Sequence, residues 1–360
     1  MTAARDTRSL VEPEQPLFAR LRAQPTARRI LERALESGRV HHAYLFIGPD
    51  GVGKELAAFG LAQALLCETR GGDGATQGGL FGAAPAPSAP QTAACGACSA
   101  CMRAAPREDG RPVHPDLVVL ERGLYTPQQL GRRTPETQDL SIDQVRTLVL
   151  ARAAFPPHEG RAKVFIVRRA EEMSASAANA LLKTLEEPGD RTHFILLSAQ
   201  PDALLPTIRS RTLLVRFGPL PDEVVFDVLS ARGVTEDRAR TVARLARGSA
   251  SVAISLADPD TSDAREAFVS RVLEAAASRD LRRVIAIGED AKKDKGNLAG
   301  YLGALAAGVA ERARDAAARG DAQAEALALR GSHALAALEH LDGNGNPQLT
   351  MEAMLLRMSM

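Results

Sequence analysis

The sequence predicts an α/β protein, a parallel sheet with helices on both faces, followed by helical segments that carry no strand. Three observations lead there. Five short apolar runs, at residues 43–47, 116–120, 163–167, 192–198 and 213–217, alternate with stretches whose apolar residues recur at helical spacing, the pattern of strands joined by crossover helices. The first run passes straight into a glycine-rich turn that opens a helix. Beyond Pro221 no strand-like run remains, and from Asp260 to Asn346 the chain has no proline and is rich in Ala, Leu, Arg and Glu.

The elements follow in chain order. Residues 1–16 are polar with two prolines and read as a loose lead-in. Thr26 to Ser37 is an amphipathic helix with Ile30, Leu31, Ala34 and Leu35 on one side, closed by Gly38. A buried strand at Ala43–Ile47 precedes the turn, and the next helix runs from Leu56 to Leu66. Residues 68–94 are Gly/Ala/Pro-rich and read as a flexible insertion, which a fold tolerates because closure entropy grows only logarithmically with loop length. A strand at Asp116–Leu120 and a polar loop to about Asp139 come next. Ser141 to Ala153 is predicted as one helix, with Ile142, Val145, Leu148 and Val149 on its apolar face. Ser174 caps a helix that stops near Glu186, because the residue before Pro188 avoids helical backbone. Residues 222–257 form a small helical unit, and 260–346 a separate all-helical domain.

Length and composition bound the function. The chain has 360 residues, enough for two or three domains. Its 45 basic and 44 acidic side chains nearly cancel, which excludes nucleic-acid binding by bulk charge. No apolar run approaches the ~18 residues of a membrane span, and the Arg/Glu/Pro-rich N-terminus has no apolar signal core. A soluble cytoplasmic protein is expected. In that compartment four cysteines point to metal or free thiols rather than disulfides.

The turn Gly48-Pro-Asp-Gly51-Val-Gly53-Lys54-Glu55 has the layout of a phosphate-binding loop. Gly48, Gly51 and Gly53 let backbone N–H groups approach phosphate oxygens, the helix N-terminus adds a positive dipole end, and Lys54 would place an ammonium on the outer phosphates. The next seat calls for Ser or Thr to hold Mg²⁺, and it is Glu55. A second break follows. In nucleotide-hydrolysing loop proteins an apolar strand ends in acids that support Mg²⁺ and polarise water. The candidate strand Val164–Val167 ends in Arg168-Arg169, and Glu171 and Glu172 come about a turn late. Arginine can neither chelate the ion nor act as a base. Hydrolysis by this chain is not expected, while the surviving glycines and Lys54 leave nucleotide binding open.

Cys95, Cys98 and Cys101 follow one another at two-residue spacings, and Cys67 is the remaining cysteine. Together they suit a closed tetrahedral structural zinc site, with Cys67 brought back across the insertion. Three exposed thiols and one core cysteine, an iron–sulfur cluster, or His114 as the fourth ligand are the alternatives. Ser210-Arg211-Thr212, just before the last strand, reads by spacing alone as an ordinary solvated arginine or an ion pair.

The chain resembles clamp-loader subunits of the AAA+ class, in particular the delta-prime family of the bacterial DNA polymerase III holoenzyme. The resemblance rests on His42-Ala-Tyr-Leu-Phe46 running into the loop, on the cysteine cluster between loop helix and next strand, and on Asn179-Ala-Leu-Leu-Lys-Thr-Leu-Glu-Glu-Pro188. It also rests on Leu204 to Arg211 and on Asn346-Pro-Gln-Leu349 with Glu352 and Leu355-Leu356. It implies an AAA+ core over 1–218 with a zinc module at 67–101, a helical lid over 219–262 and a helical collar over 263–360. It implies Zn²⁺ on the four cysteines. It implies a pentameric ring with delta and tau/gamma subunits, acting on a sliding clamp and primed DNA, in which Arg211 reaches the ATP site of a neighbouring motor subunit. Thr212 replaces the family's usual cysteine, and Ser251, in Gly248-Ser-Ala-Ser251, stands where motor subunits carry a nucleotide-sensing arginine. An active motor of the tau/gamma kind, or a zinc-containing adapter acting only through protein contacts, are the alternatives.

Overall fold

The structure is a computed structural model that describes residues 16–69, 94–130, 139–159, 161–278, 280–293, 295–342 and 345–359. The expected lead-in lies almost wholly, and the expected 68–94 insertion mostly, outside the described residues. The chain divides into two compact units, Met1–Val224 and Val225–Met360.

The first unit is built on five parallel strands, β1 (Ala43–Ile47), β2 (Leu117–Leu120), β3 (Lys163–Val167), β4 (Thr192–Ser198) and β5 (Leu213–Arg216), in the order β2-β3-β4-β1-β5. All five expected strands are present, β2 one residue shorter at its start and β5 one shorter at its end. β1 lies between β4 and β5, with Leu45 opposite Leu196 and Leu214. Every residue of β1, β2 and β3 is buried, as expected of a sheet covered on both faces. Phe165 and Phe194 stack across β3 and β4 with ring centroids 5.1 Å apart.

Helix α1 (Pro25–Glu36) starts with proline in its first turn, where the missing N–H costs nothing. Helix α2 (Lys54–Leu66) is apolar all round and buried along nearly its whole length. A 3-10 turn at Leu17–Arg20 presses on it so closely that a Cβ at Gly60 would lie 2.8 Å from the Phe18 nitrogen. Gln63 ties three segments across this helix, accepting from Leu17 N at 3.0 Å and donating to the Cys101 carbonyl at 2.9 Å. The cysteine-bearing helix α3 (Ser99–Ala104) is one the sequence pattern did not announce.

The stretch expected as a single helix at 141–153 is not uniform. A turn of α4 (Ile142–Gln144), capped by a Ser141/Gln144 capping box, passes into a π-helical turn at Val145–Leu150 before α5 (Ala151–Ala153). The wider turn keeps Val145, Leu148 and Val149 on the core while Arg146 and Thr147 stay exposed. Helix α6 (Ala175–Glu186) is capped by Ser174, whose hydroxyl accepts from Ala177 N at 3.2 Å. The short α7 (Pro206–Arg209) leads into β5.

The second unit takes up the rest of α8 (Asp222–Ser230), with α9 (Glu236–Leu245), α10 (Ala250–Ala257), α11 (Pro259–Ser278), α12 (Leu281–Lys293), α13 (Lys295–Ala318), α14 (Ala324–Asp342) and α15 (Pro347–Met358). Its core gathers Val272, Leu302, Leu305, Val309, Met351 and Leu355. Asn346 caps α15 by accepting from Leu349 N at 3.3 Å. No described helix is long and apolar enough to cross a membrane.

Candidate functional site

The glycine-rich turn closes between β1 and α2. Gly48, Gly51 and Gly53 all have positive φ, at 147°, 74° and 101°. Gly48 has a second reason to lack a side chain, since a Cβ there would lie 2.2 Å from the Phe217 carbonyl oxygen. Gln24 holds the turn from beneath, donating to the Val52 carbonyl at 3.1 Å and to the Gly218 carbonyl at 2.7 Å. Lys54 is only 7% exposed. Its ammonium is turned onto the loop itself, donating to the Gly48 carbonyl at 2.5 Å, the Pro49 carbonyl at 2.7 Å and Asp50 Oδ1 at 3.2 Å.

Glu55, the second residue of α2, is paired with Arg168, the first residue after β3. Arg168 also donates from Nη1 to Glu121 at 2.7 Å and from Nη2 to the Gly110 carbonyl at 3.2 Å. Both late acids have partners of their own. Glu171 accepts from Ala199 N at 3.1 Å and so clamps the end of β4, while Glu172 lies 3.2 Å from Arg169 and 3.6 Å from Arg122.

The four cysteines converge. The sulfurs of Cys67, at the end of α2, and of Cys95, Cys98 and Cys101 all lie within 4.8 Å of one another. Four sulfurs around one tetrahedral Zn²⁺ at the usual bond length would be about 3.8 Å apart, and Cys95 Sγ is 3.9 Å from Cys101 Sγ. Backbone N–H groups already point at the sulfurs, Cys95 N at Cys67 Sγ (3.4 Å) and Cys98 N at Cys95 Sγ (3.3 Å). Hydrogen bonding between Cys67 and Cys101 draws the Cys67 thiol below its ordinary range and pushes Cys101 above it. The cluster therefore has the donor set and spacing to hold a metal ion.

His114, the alternative fourth ligand, is not in this cluster. It is buried, its Nδ1 accepts from Asp116 N at 3.1 Å, and its Nε2 lies 3.2 Å from Glu159. Burial holds it below its ordinary pKa. Its role is architectural. Asp116, 1% exposed, accepts from the backbone of His158 (2.6 Å) and Glu159 (2.8 Å). Glu159 in turn grips Arg103 of α3 with two hydrogen bonds, at 2.5 and 2.8 Å. The cysteine helix is thus bolted to the sheet edge by a relay of charged groups.

A family model described as DNA polymerase III, delta subunit, matches residues 23–79 and 81–221, more than half of the chain. This chain belongs to that family. The delta' subunit of Bacillus subtilis is 32% identical to it over 222 residues, covering 62% of this chain and 56% of that protein. The delta' subunit of Escherichia coli is 32% identical over 258 residues, 71% of this chain and 66% of that protein. The tau subunit of Escherichia coli is 34% identical over 247 residues, 67% of this chain and 32% of that protein. Among solved structures, a DNA polymerase III gamma subunit-related protein of Thermotoga maritima aligns over 92% of this chain and 98% of that chain, with a TM-score of 0.48 and 15% identity.

In this member of the DNA polymerase III family the segment before β5 is partly exposed, with Ile208 buried and Arg211 half-buried. Arg211 donates to the Thr207 carbonyl at 2.9 Å and pairs with Glu186, at the end of α6. Thr212, in the place of the usual cysteine, turns its hydroxyl onto the Ile208 carbonyl at 3.1 Å. In the second unit Ser249 caps α10, and its hydroxyl lies 3.2 Å from that of Ser251.

Sequence reasoning missed two partnerships. Glu186 belongs to the motif 179–188 but was not seen as the partner of Arg211. The pairing of Glu55 with Arg168 was also missed, although a signal was there: two seats that ordinarily share one cation carry opposite charges.

Proposed function

We propose that this chain is a clamp-loader subunit of the DNA polymerase III holoenzyme, of the delta-prime kind, and that it braces a ring without hydrolysing ATP itself. The observation that carries this reading is the loop. It keeps the glycine turn and Lys54, yet the seat after Lys54 is Glu55 and the end of β3 is Arg168, and the two are bound to each other. A hydrolysing loop needs a hydroxyl and an acid there to hold Mg²⁺. Membership in the family, with delta' relatives on the same region, supports the assignment to the loader.

The remaining parts follow from it. The four cysteines hold a structural Zn²⁺, since thiolates suit that ion and a closed four-sulfur site leaves no position for substrate. Arg211 serves a neighbouring ATP site in trans, where an arginine stabilises charge developing on the transferred phosphoryl group. With a core, a lid and a collar it joins a five-membered ring with delta and tau/gamma subunits, loading a sliding clamp onto primed DNA in the cytoplasm.

The test is Mg²⁺-dependent ATP hydrolysis, by the chain alone and in a loader reconstituted with its own delta and tau/gamma subunits. No turnover is expected alone. In the loader, Arg211→Ala should lower turnover at the site it serves by a factor within the ~10³–10⁵ range of arginine fingers, with the assembly intact by size-exclusion chromatography. Turnover by the chain alone that disappears in Lys54→Ala would make it a motor subunit instead.

A further inference from the structure

The seat that carries an acid in a hydrolysing loop carries a cation here, Arg168. Arg168 leaves β3 with its side chain 11% exposed and crosses to the first turn of α2. Its guanidinium meets acceptors on three segments: the Glu55 carboxylate, Glu121 Oε2 at 2.7 Å and the Gly110 carbonyl at 3.2 Å. Its carbon lies 5.6 Å from the centroid of the Phe59 ring, within cation–π range. The chain makes room for it at Gly110, where φ is 74° and a Cβ would lie 2.8 Å from Nη1. Exposed ion pairs contribute little; here the guanidinium is largely withdrawn from water while Glu55 stays half exposed, and a guanidinium is the cation that can serve separate acceptors in fixed directions.

In a hydrolysing loop, the side chain after the lysine and the acid at the end of the second strand both face one Mg²⁺. Here the same two positions face each other, one negative and one positive. We infer that the Arg168 guanidinium is the resident cation of this site, taking the place of the divalent ion between Glu55 and Glu121 and tying the start of α2 to the end of β3. The loop's fold is therefore independent of Mg²⁺. Removing the guanidinium uncovers two carboxylates that both reach the vacated point, a pair of hard oxygen donors to which a divalent ion binds. This inference rests on the non-hydrolysing reading of the loop and goes further, because it says what replaced the metal.

The experiment is thermal unfolding of the full chain, dialysed free of Mg²⁺ without chelator so that a thiolate-bound ion is untouched, then titrated with MgCl₂ to millimolar. The wild type should not respond. Arg168→Met should unfold roughly 5 °C lower, from the orphaned carboxylates, and Mg²⁺ should restore part of that loss. In the double variant Glu55→Gln/Arg168→Met the Mg²⁺ response should disappear, and the two substitutions should cost less together than the sum of each alone. Stabilisation of the wild type by Mg²⁺, or strict additivity, overturns the inference. If Arg168→Met does not fold, Glu55→Gln and Glu121→Gln decide it: each should lower the midpoint without creating a Mg²⁺ response, and unchanged midpoints overturn it. ATP turnover by the chain alone would remove the non-hydrolysing reading, whereas additive variants in a chain without turnover remove only the present inference.

Discussion

The first glycine of the loop gives a prediction whose size can be worked from the structure. Gly48→Ala and Gly38→Ala both place a methyl at positive φ, 147° and 66°. At Gly38 nothing lies within 4 Å of the new Cβ, so only backbone strain opposes it, about 1 kcal/mol for a single residue in the left-handed region. At Gly48 the Cβ meets the Phe217 carbonyl oxygen at 2.2 Å, about an ångström inside ordinary contact. That oxygen belongs to backbone held to β1 by Phe217 N donating to the Ile47 carbonyl at 2.8 Å, so it cannot step aside without breaking the ladder. Strain of ~1–3 kcal/mol, overpacking of similar size and a lost backbone hydrogen bond of ~1 kcal/mol bring the cost to roughly 3–7 kcal/mol. Equilibrium urea unfolding, followed by far-UV circular dichroism, reads the difference as a much lower midpoint for Gly48→Ala at unchanged slope. Equal midpoints for the two variants would refute the claim that packing against β5 fixes this glycine. The glycine would then be there for the approach of a phosphate.

Two further outcomes are expected. The purified chain should carry about one zinc per molecule, and Cys101→Ser, at a fully buried sulfur of the cluster, should release it and lower the unfolding midpoint; a metal-free chain with an unchanged midpoint removes the zinc assignment. The His193 imidazole is held below its ordinary pKa, first by burial and then by the neighbouring His42 and His41, against a hydrogen bond with the His41 carbonyl that raises it. His42 is likewise lowered, by burial and by His41. Both are neutral in folded and unfolded chains above the ordinary value of 6.5, so they contribute nothing to pH dependence there. Below it the unfolded chain takes up protons that the folded chain refuses, and stability falls until pH passes the folded values. His193→Gln should flatten the loss of thermal midpoint between neutral pH and pH ~5; an unchanged slope would place the titration elsewhere.

Strands, loop and cysteines were legible in the sequence because each is written in local pattern. A run such as Ala43–Ile47 is apolar at every position only if both faces of the sheet are covered, and the glycine spacing of 48–53 has few other uses. What was not legible depends on partners far apart in sequence. Nothing local marks Lys163 as a buried cation, yet its ammonium donates to the carbonyls of Arg152 (2.7 Å), Phe155 (2.9 Å) and Pro156 (3.1 Å) and so caps the end of the preceding helix. The π-helical turn at Val145–Leu150 was hidden for the same reason, since spacing of apolar residues cannot distinguish one extra residue in a turn from a regular helix.

The loop itself shows how far chemistry can be read from positions alone. Glu55 and Arg168 each break a rule of the phosphate loop when taken singly, and each would be costly: a carboxylate beside phosphate, an arginine where an acid should be. Taken together they satisfy each other, with Glu121 as a second carboxylate on the guanidinium. Lys54 follows the same logic, its ammonium satisfied by the loop's own carbonyls and by Asp50. Both cations of the site are therefore paired within the protein, and any phosphate would have to displace those contacts to bind. Arg211, by contrast, keeps a half-buried guanidinium held by a surface carboxylate. That pairing rests on one carboxylate, whereas the pairing of Arg168 is spread over three segments of the chain. The two arginines thus differ in burial: Arg168 is tied to its own chain at 11% exposure, and Arg211, at 33%, stays the more accessible.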